Sequence, residues 1–144
     1  MTVHEVMTHA PACATTEMGL QEVARMMVDN NCGCIPVLDE AGAPIGVITD
    51  RDIVCRTVAL GYNPIEKTVA DAMTDACISV KKEATIQEVS DLLQRNQIRR
   101  AVVVDEGRVV GMVSLADIAR RSETLAGELA AAVSEPSLGP SSIH

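Results

Sequence analysis

The chain repeats itself. Residues 2–40 align with residues 68–106 at a constant offset of 66, and residues 42–56 align with 107–121 at an offset of 65, one turn residue having been lost between. About eighteen of about fifty-five aligned pairs are identical, which marks a duplicated supersecondary unit. Among them are Thr2, Val3, Met7, Thr8, Gln21, Glu22, Val23, Gly46 and Asp52, matched by Thr68, Val69, Met73, Thr74, Gln87, Glu88, Val89, Gly111 and Asp117. Two copies point to a closed pseudo-symmetric pair, because a solenoid needs more. A site at the junction is therefore expected in two related versions. The expected boundaries are 1–60 for the first unit, 61–67 for a linker and 68–122 for the second unit. A helical extension follows at 123–133, and a Ser-, Pro- and Gly-rich tail without fixed structure at 134–144.

Composition narrows the function. Apolar residues make up 47% of the 144, enough for a buried interior. Aromatic content is 1%, Tyr62 alone, so the core must be aliphatic and there are no platforms for stacking bases. A net charge of −8 without a basic stripe argues against nucleic acid as a partner. No run of eighteen apolar residues is present, and the N-terminus lacks a charged-then-apolar signal pattern, so no membrane association is expected. Five unevenly spaced cysteines read as free thiols, and the expected location is the cytoplasm.

Each copy reads as strand, helix, strand, turn, strand, helix. Leu20, Val23, Ala24, Met27 and Val28 fall on one face of a helix, and Ile86, Val89, Ser90 and Leu93 repeat the spacing. Thr85 and Glu88 form a capping box for the second of these helices, whereas the first has Gly19 at that position. The short apolar runs at 35–38 and 101–104 read as buried strands, with Pro36 putting the first at a sheet edge or at a strand start. Strands return at 45–49 and 109–114. The next helix of the first copy begins near Asp50, carries Ile53, Val54 and Val58, and stops at Gly61. The last helix starts near Leu115 and runs through Ala132. At about sixty residues each, the halves are expected to pack sheet on sheet.

The chemistry is carried by a constellation that closes each copy. It is Gly46-Val-Ile-Thr49-Asp-Arg-Asp52 in the first and Gly111-Met-Val-Ser114-Leu-Ala-Asp117 in the second. A hydroxyl three residues before an acid at a helix start is a capping box, which needs no ligand. The same groups also suit a nucleotide. A strand glycine lets a planar group approach the backbone. A helix N-terminus offers N–H groups to a phosphate. A carboxylate accepts the two hydrogens of a ribose diol.

With Met-Thr near the start of each unit, an apolar strand ending in Asp, and Gly-x-x-[Thr/Ser]-x-x-Asp at the end, the chain resembles a tandem pair of cystathionine-β-synthase (CBS) domains, a stand-alone Bateman module. The resemblance covers residues 2 to about 121. It implies an α+β (α/β) fold of two pseudo-symmetric β-α-β-β-α units packed through their sheets. It also implies a homodimer and two clefts for AMP, ADP, ATP or related adenosyl ligands. Carried over residue by residue, Asp52 and Asp117 hold ribose hydroxyls, and Thr49 and Ser114 meet phosphate or ribose oxygens. Thr8 and Thr74, with the backbone around Ala12 and Ile78, border the base. Ile35-Pro36 and Ala101-Val102 supply apolar walls. Arg51 belongs to the first unit only and Arg99-Arg100 to the second only, so unequal clefts are expected, with the Asp117 cleft better equipped for phosphate through Arg100.

Other readings compete. Cys32-Gly-Cys34 with His4, His9, Cys13, Cys55 and Cys77 offers soft metal ligands, but without the second paired motif of a zinc site. No nucleophile elbow, metalloprotease helix or phosphate-binding lysine loop occurs, so no catalysis and no required cofactor are expected. A ligand-free interaction scaffold of the same fold is the remaining alternative. The resulting expectation is a non-enzymatic sensor of adenine nucleotides that signals through dimer rearrangement to an effector protein the sequence does not name.

Overall fold

The computed structural model describes residues 1–132. The tail expected at 134–144, with His144, lies outside the described residues. The strands are β1 (Thr8–His9), β2 (Cys34–Leu38), β3 (Pro44–Thr49), β4 (Ser79–Lys81), β5 (Arg100–Asp105) and β6 (Arg108–Ser114). The α-helices are α1 (Leu20–Asn30), α2 (Asp50–Arg56), α3 (Val69–Ala72), α4 (Ile86–Arg95) and α5 (Leu115–Ala132). Short 3₁₀ turns occupy Val3–Glu5, Val58–Leu60 and Pro64–Glu66.

The duplicated helices form for the reasons their spacing implies. Leu20, Val23 and Met27 of α1 are buried, as are Val89 and Leu93 of α4. Thr85 caps α4 by accepting the Glu88 N–H at 3.1 Å, whereas Gly19 caps α1 with no side chain. Val28 departs from the periodicity: it sits at the margin of the apolar stripe and is 77% exposed. The helix after β3 is also shorter than its apolar pattern implies. It ends at Arg56, the backbone turns at Thr57 (φ −128°, ψ −69°), and a 3₁₀ turn runs to Gly61 at φ 82°. Val58, beyond the helix end, is exposed, and so is Val54 within it.

The strands build two sheets. One has the order β1-β6-β5-β4, with β4 parallel to β5 and the other pairs antiparallel. The other is the hairpin β2-β3. Single bridges complete the pseudo-symmetry: Ala14 pairs parallel with Val37, as β4 pairs with β5, and Thr74 pairs antiparallel with Val47, as Thr8 of β1 pairs with Met112 of β6. The start of each copy has therefore crossed to the other. The N-terminal segment joins the second unit, where Thr2 bridges Thr85 and the Val3 N–H donates to the Ala84 carbonyl at 2.7 Å. The segment after the linker joins the first unit, where Thr68 bridges Gly19 and the Val69 N–H donates to the Met18 carbonyl at 2.8 Å.

The cores follow this exchange. Leu20, Val23, Ile35, Val37 and Ile48 of the first unit enclose Val69, Ala72 and Met73. Val80, Val89, Leu93, Val103 and Val113 of the second enclose Val3 and Met7. Fully burying one valine contributes about 1.5–3 kcal/mol, so each unit depends on a segment that belongs to the other in sequence. The repeated strand glycines serve the same exchange. A Cβ on Gly46 would lie 2.2 Å from the Thr74 carbonyl oxygen, and one on Gly111 would lie 2.3 Å from the Met7 sulfur. The space expected to admit a ligand's planar group is filled by protein.

Candidate ligand-binding site

At the end of β3 the Thr49 hydroxyl accepts the Asp52 N–H at 3.0 Å, and Asp52 Oδ2 accepts the Thr49 N–H at 3.0 Å. At the end of β6 the Ser114 hydroxyl accepts the Asp117 N–H at 3.0 Å, and Asp117 Oδ2 accepts the Ser114 N–H at 2.9 Å. Both constellations are complete capping boxes. Capping does not exhaust them, because an ionised carboxylate has about four acceptor directions and the box uses one. The box instead fixes the side-chain rotamer and leaves Oδ1 for another partner. Asp117 Oδ1 accepts from Arg120 Nη2. Asp52 Oδ1 lies 3.9 Å from Arg56 Nε, while Arg56 Nη1 donates to the Met73 carbonyl at 2.7 Å. The Thr74 hydroxyl stands 3.4 Å from both oxygens of Asp52.

Two cavities adjoin these boxes. The first, of about 640 Å³, is lined by Thr49 and Val47 of the first unit, by Thr74 and Ile78, and by the run from Asn96 to Val102. The second, of about 420 Å³, is lined by Ser114 and Asp117 of the second unit, by the segment from Thr8 to Ala12, and by the run from Asn30 to Cys34. Each cavity thus combines the hydroxyl of one unit with the threonine strand and helix–strand loop of the other. Cys34, Arg100 and Met112 line both.

This crossing regroups the expected site residues. Thr49, Thr74, Ile78, Arg99, Arg100, Ala101 and Val102 come together at the first cavity, whereas Asp52 is not among its lining residues and stands behind Thr74, whose hydroxyl is 3.4 Å from its oxygens. Ser114, Asp117, Thr8, Ala12 and Arg100 come together at the second. The expectation that Arg100 favours the Asp117 cleft is corrected, because Arg99 lines only the Thr49 cavity and Arg100 lines both. Arg51 is exposed and lines neither. Ile35 and Pro36 are buried and line neither; Ile35 is part of the first core. The first turn of α2 is not open to a phosphate either. Its N–H groups go to the Gly33 carbonyl (from Asp50, 3.0 Å), to Asp50 Oδ1 (from Arg51, 2.8 Å) and to the Thr49 hydroxyl (from Asp52, 3.0 Å).

Sequence reasoning passed over several lining residues. Asn96 lines the first cavity and Asn30 the second, and their identity in the repeat was an available signal. Gln97 and Asn31 follow them in left-handed conformation, at φ 54° and 49°.

The charges around the cavities are few. Among the described residues neither Arg99 nor Arg100 forms an ion pair, whereas Asp52 and Asp117 each have an arginine on their own helix. Burial pushes the Cys34 thiol up to about 11, with the Arg100 charge pulling it partly back. All five cysteines are free. Cys32, Cys34 and His9 line the second cavity, but among the described residues no three His, Cys, Asp or Glu side chains converge closely enough to hold a metal. His4 and His9 stack edge to face at 4.8 Å. No helix of the described residues is long and apolar enough to cross a membrane.

Comparison with known proteins agrees with the repeat. The family model described as the CBS domain matches residues 3–56 and 69–124. The chain is 33% identical over 119 residues to hypoxic response protein 1 of Mycobacterium tuberculosis, covering 83% of each chain. A crystal structure of Hypoxic Response Protein I with two coordinated zinc ions superposes with a TM-score of 0.74 at 31% identity, covering 83% of this chain and 98% of that one. The CBS domain pair of protein MJ0100, in complex with 5′-methylthioadenosine and S-adenosyl-L-methionine, superposes with a TM-score of 0.74 at 27% identity, covering 85% of this chain and 99% of that one.

Proposed function

The chain belongs to the CBS domain family, with two units in tandem, and on that premise we propose that it is a regulatory sensor of adenine nucleotides (AMP, ADP or ATP) or related adenosyl ligands. The observation that carries the reading is the pair of cavities, each lined by the hydroxyl of a pre-oriented capping box, with the carboxylate of Asp117 lining the second and that of Asp52 one residue behind the first, at the Thr74 hydroxyl. Volumes of about 640 and 420 Å³ suit a nucleoside-sized ligand. In this reading Asp52 and Asp117 accept ribose hydroxyls, and Thr49 and Ser114 meet ribose or phosphate oxygens. Thr74 with Ile78, and Thr8 with Ala12, border the base. Ala101 and Val102 wall the first cavity. The phosphate falls to Arg99 and Arg100 rather than to a helix N-terminus. The adenosyl ligands named in the MJ0100 complex support this choice of ligand class.

The protein acts without catalysing a reaction, in the cytoplasm, as a homodimer whose rearrangement is read by a separate effector protein. The apolar side chains left outside the cores support the dimer: Val28 of α1 and Val54 of α2, which line one groove, and Val58 of the turn that follows are 77%, 55% and 56% exposed. A ligand changes the dimer by binding one arrangement more tightly than another.

A thermal-unfolding panel with AMP, ADP, ATP, S-adenosylmethionine and NAD(H) tests the reading. A ligand at 100 times its Kd stabilises by about 2.7 kcal/mol, which shifts the midpoint by several degrees. Silence across the panel would leave a ligand-free or metal-binding dimeric scaffold.

A further inference from the structure

We propose that Arg100 is one phosphate-binding cation shared by both cavities, so that a phosphate-bearing adenosyl ligand in one cavity weakens phosphate binding, though not nucleoside binding, in the other. This rests on the adenosyl-sensor reading above and names how its two sites are coupled.

Arg100 begins β5 and pairs across the sheet with Ser114, the hydroxyl of the second cavity, yet it also lines the first. Its repeat mate is Cys34, which begins β2, pairs with Thr49 and also lines both cavities. The pseudo-dyad thus brings two equivalent positions to the junction. A symmetric chain would have placed a cation at each. Here one position holds a guanidinium and the other a thiol that burial keeps neutral. The neighbouring position repeats the inequality, with Arg99 against Gly33. Arg99 lines only the first cavity, and no carboxylate is among that cavity's lining residues. Arg100 is the only Lys or Arg among those lining the second, whose lining also includes Asp117.

The guanidinium is available to a ligand. Arg100 is exposed, and among the described residues it has no ion pair in a chain with an excess of eight negative charges. A guanidinium engages one phosphate through two parallel N–H donors, which fixes its plane and direction. A second phosphate approaching from the other side then finds those donors turned away, and meets the first phosphate's charge as well. A nucleoside without phosphate makes no such demand. The coupling is reciprocal, because each ligand changes the other's affinity by the same factor.

Calorimetric titration of the full chain with adenosine and with AMP, at low ionic strength, reads this directly. The second AMP is expected to bind weaker than the first by a ratio about tenfold larger than the corresponding ratio for adenosine. Raising the salt concentration should shrink that excess. Arg100→Ala and the longer-stemmed Arg100→Gln should weaken AMP and make its ratio equal to that of adenosine, while Arg99→Ala should weaken AMP at one cavity only. Equal ratios for the two ligands in the parent chain, or an excess that survives both Arg100 substitutions, would overturn the proposal while leaving the sensor reading intact. Failure of both ligands to bind would instead overturn the sensor reading, and the shared cation with it.

Discussion

Gly111 and Met7 approach so closely that a Cβ on the glycine would lie 2.3 Å from the methionine sulfur. The two residues belong to different copies of the repeat. The equivalent contact sets Gly46 against Thr74, where the atom at 2.2 Å is a backbone carbonyl oxygen. Each glycine is the place where the start of one unit is laid against the sheet of the other.

The two contacts differ in what can yield. Met7 is a flexible side chain, whereas the Thr74 carbonyl is held by the Val47 N–H at 3.0 Å. Gly111→Ala should therefore cost about 1 kcal/mol and Gly46→Ala about 3 kcal/mol. Urea unfolding midpoints check this, and equal costs would mean that the exchanged strand is not held rigidly.

Val3 and Val69 are both fully buried, each in the other unit's core. Truncation of either to Ala should cost about 2 kcal/mol. The location of the damage is the stronger test. Val3→Ala should speed amide exchange in β5 and β6, and Val69→Ala in β2 and β3. Loss of protection in the unit that contains the substitution in sequence would contradict the exchange.

Cys32 and Cys55 are exposed, whereas burial raises the Cys34 thiol from its ordinary 9.0 to about 11. At about pH 8 iodoacetamide should label Cys32 and Cys55 well before Cys34, because the thiolate is the nucleophile. The raised value also sets a sign for stability. The neutral thiol supports the fold fully below pH 9.0, and that contribution is lost as pH rises toward about 11. Cys34→Ala should flatten this alkaline decline, and an unchanged profile would place the titrating group elsewhere.

Val28 and Val54 line one exposed groove of the first unit, and Val58 is exposed in the turn that follows α2. If they lie in a dimer interface, Val54→Asp with Val58→Asp should convert a dimer to a folded monomer in sedimentation analysis. A monomeric parent, or a variant that remains dimeric, would count against that face.

Much of this was legible in the sequence. The repeat located both units, the helix spacing identified Leu20, Val23, Met27, Val89 and Leu93, and the hydroxyl–acid motif identified both capping boxes. The exchange was not legible. Thr8 and Thr74 both follow a methionine in the same repeat motif, and nothing local says which sheet each will join. That choice is made by the Val3, Met7, Val69 and Met73 side chains, through packing at long range in the chain. The grouping of the site residues depended on it, and so did the assignment of Arg99 and Arg100. Val28 and Val54 misled for a related reason: helical periodicity marks an apolar face without saying what covers it.

Adenosine titration of single-site variants most directly tests the proposal that Asp52 and Asp117 hold a ribose across the junction of the two units. The parent should bind two molecules per chain. Asp117→Asn and Thr8→Ala should each abolish one site, and Asp52→Asn and Thr74→Ala the other, with losses of stability near 1 kcal/mol for the aspartate variants. A parent that binds no adenosine, or aspartate variants that bind it as the parent does, would contradict the account.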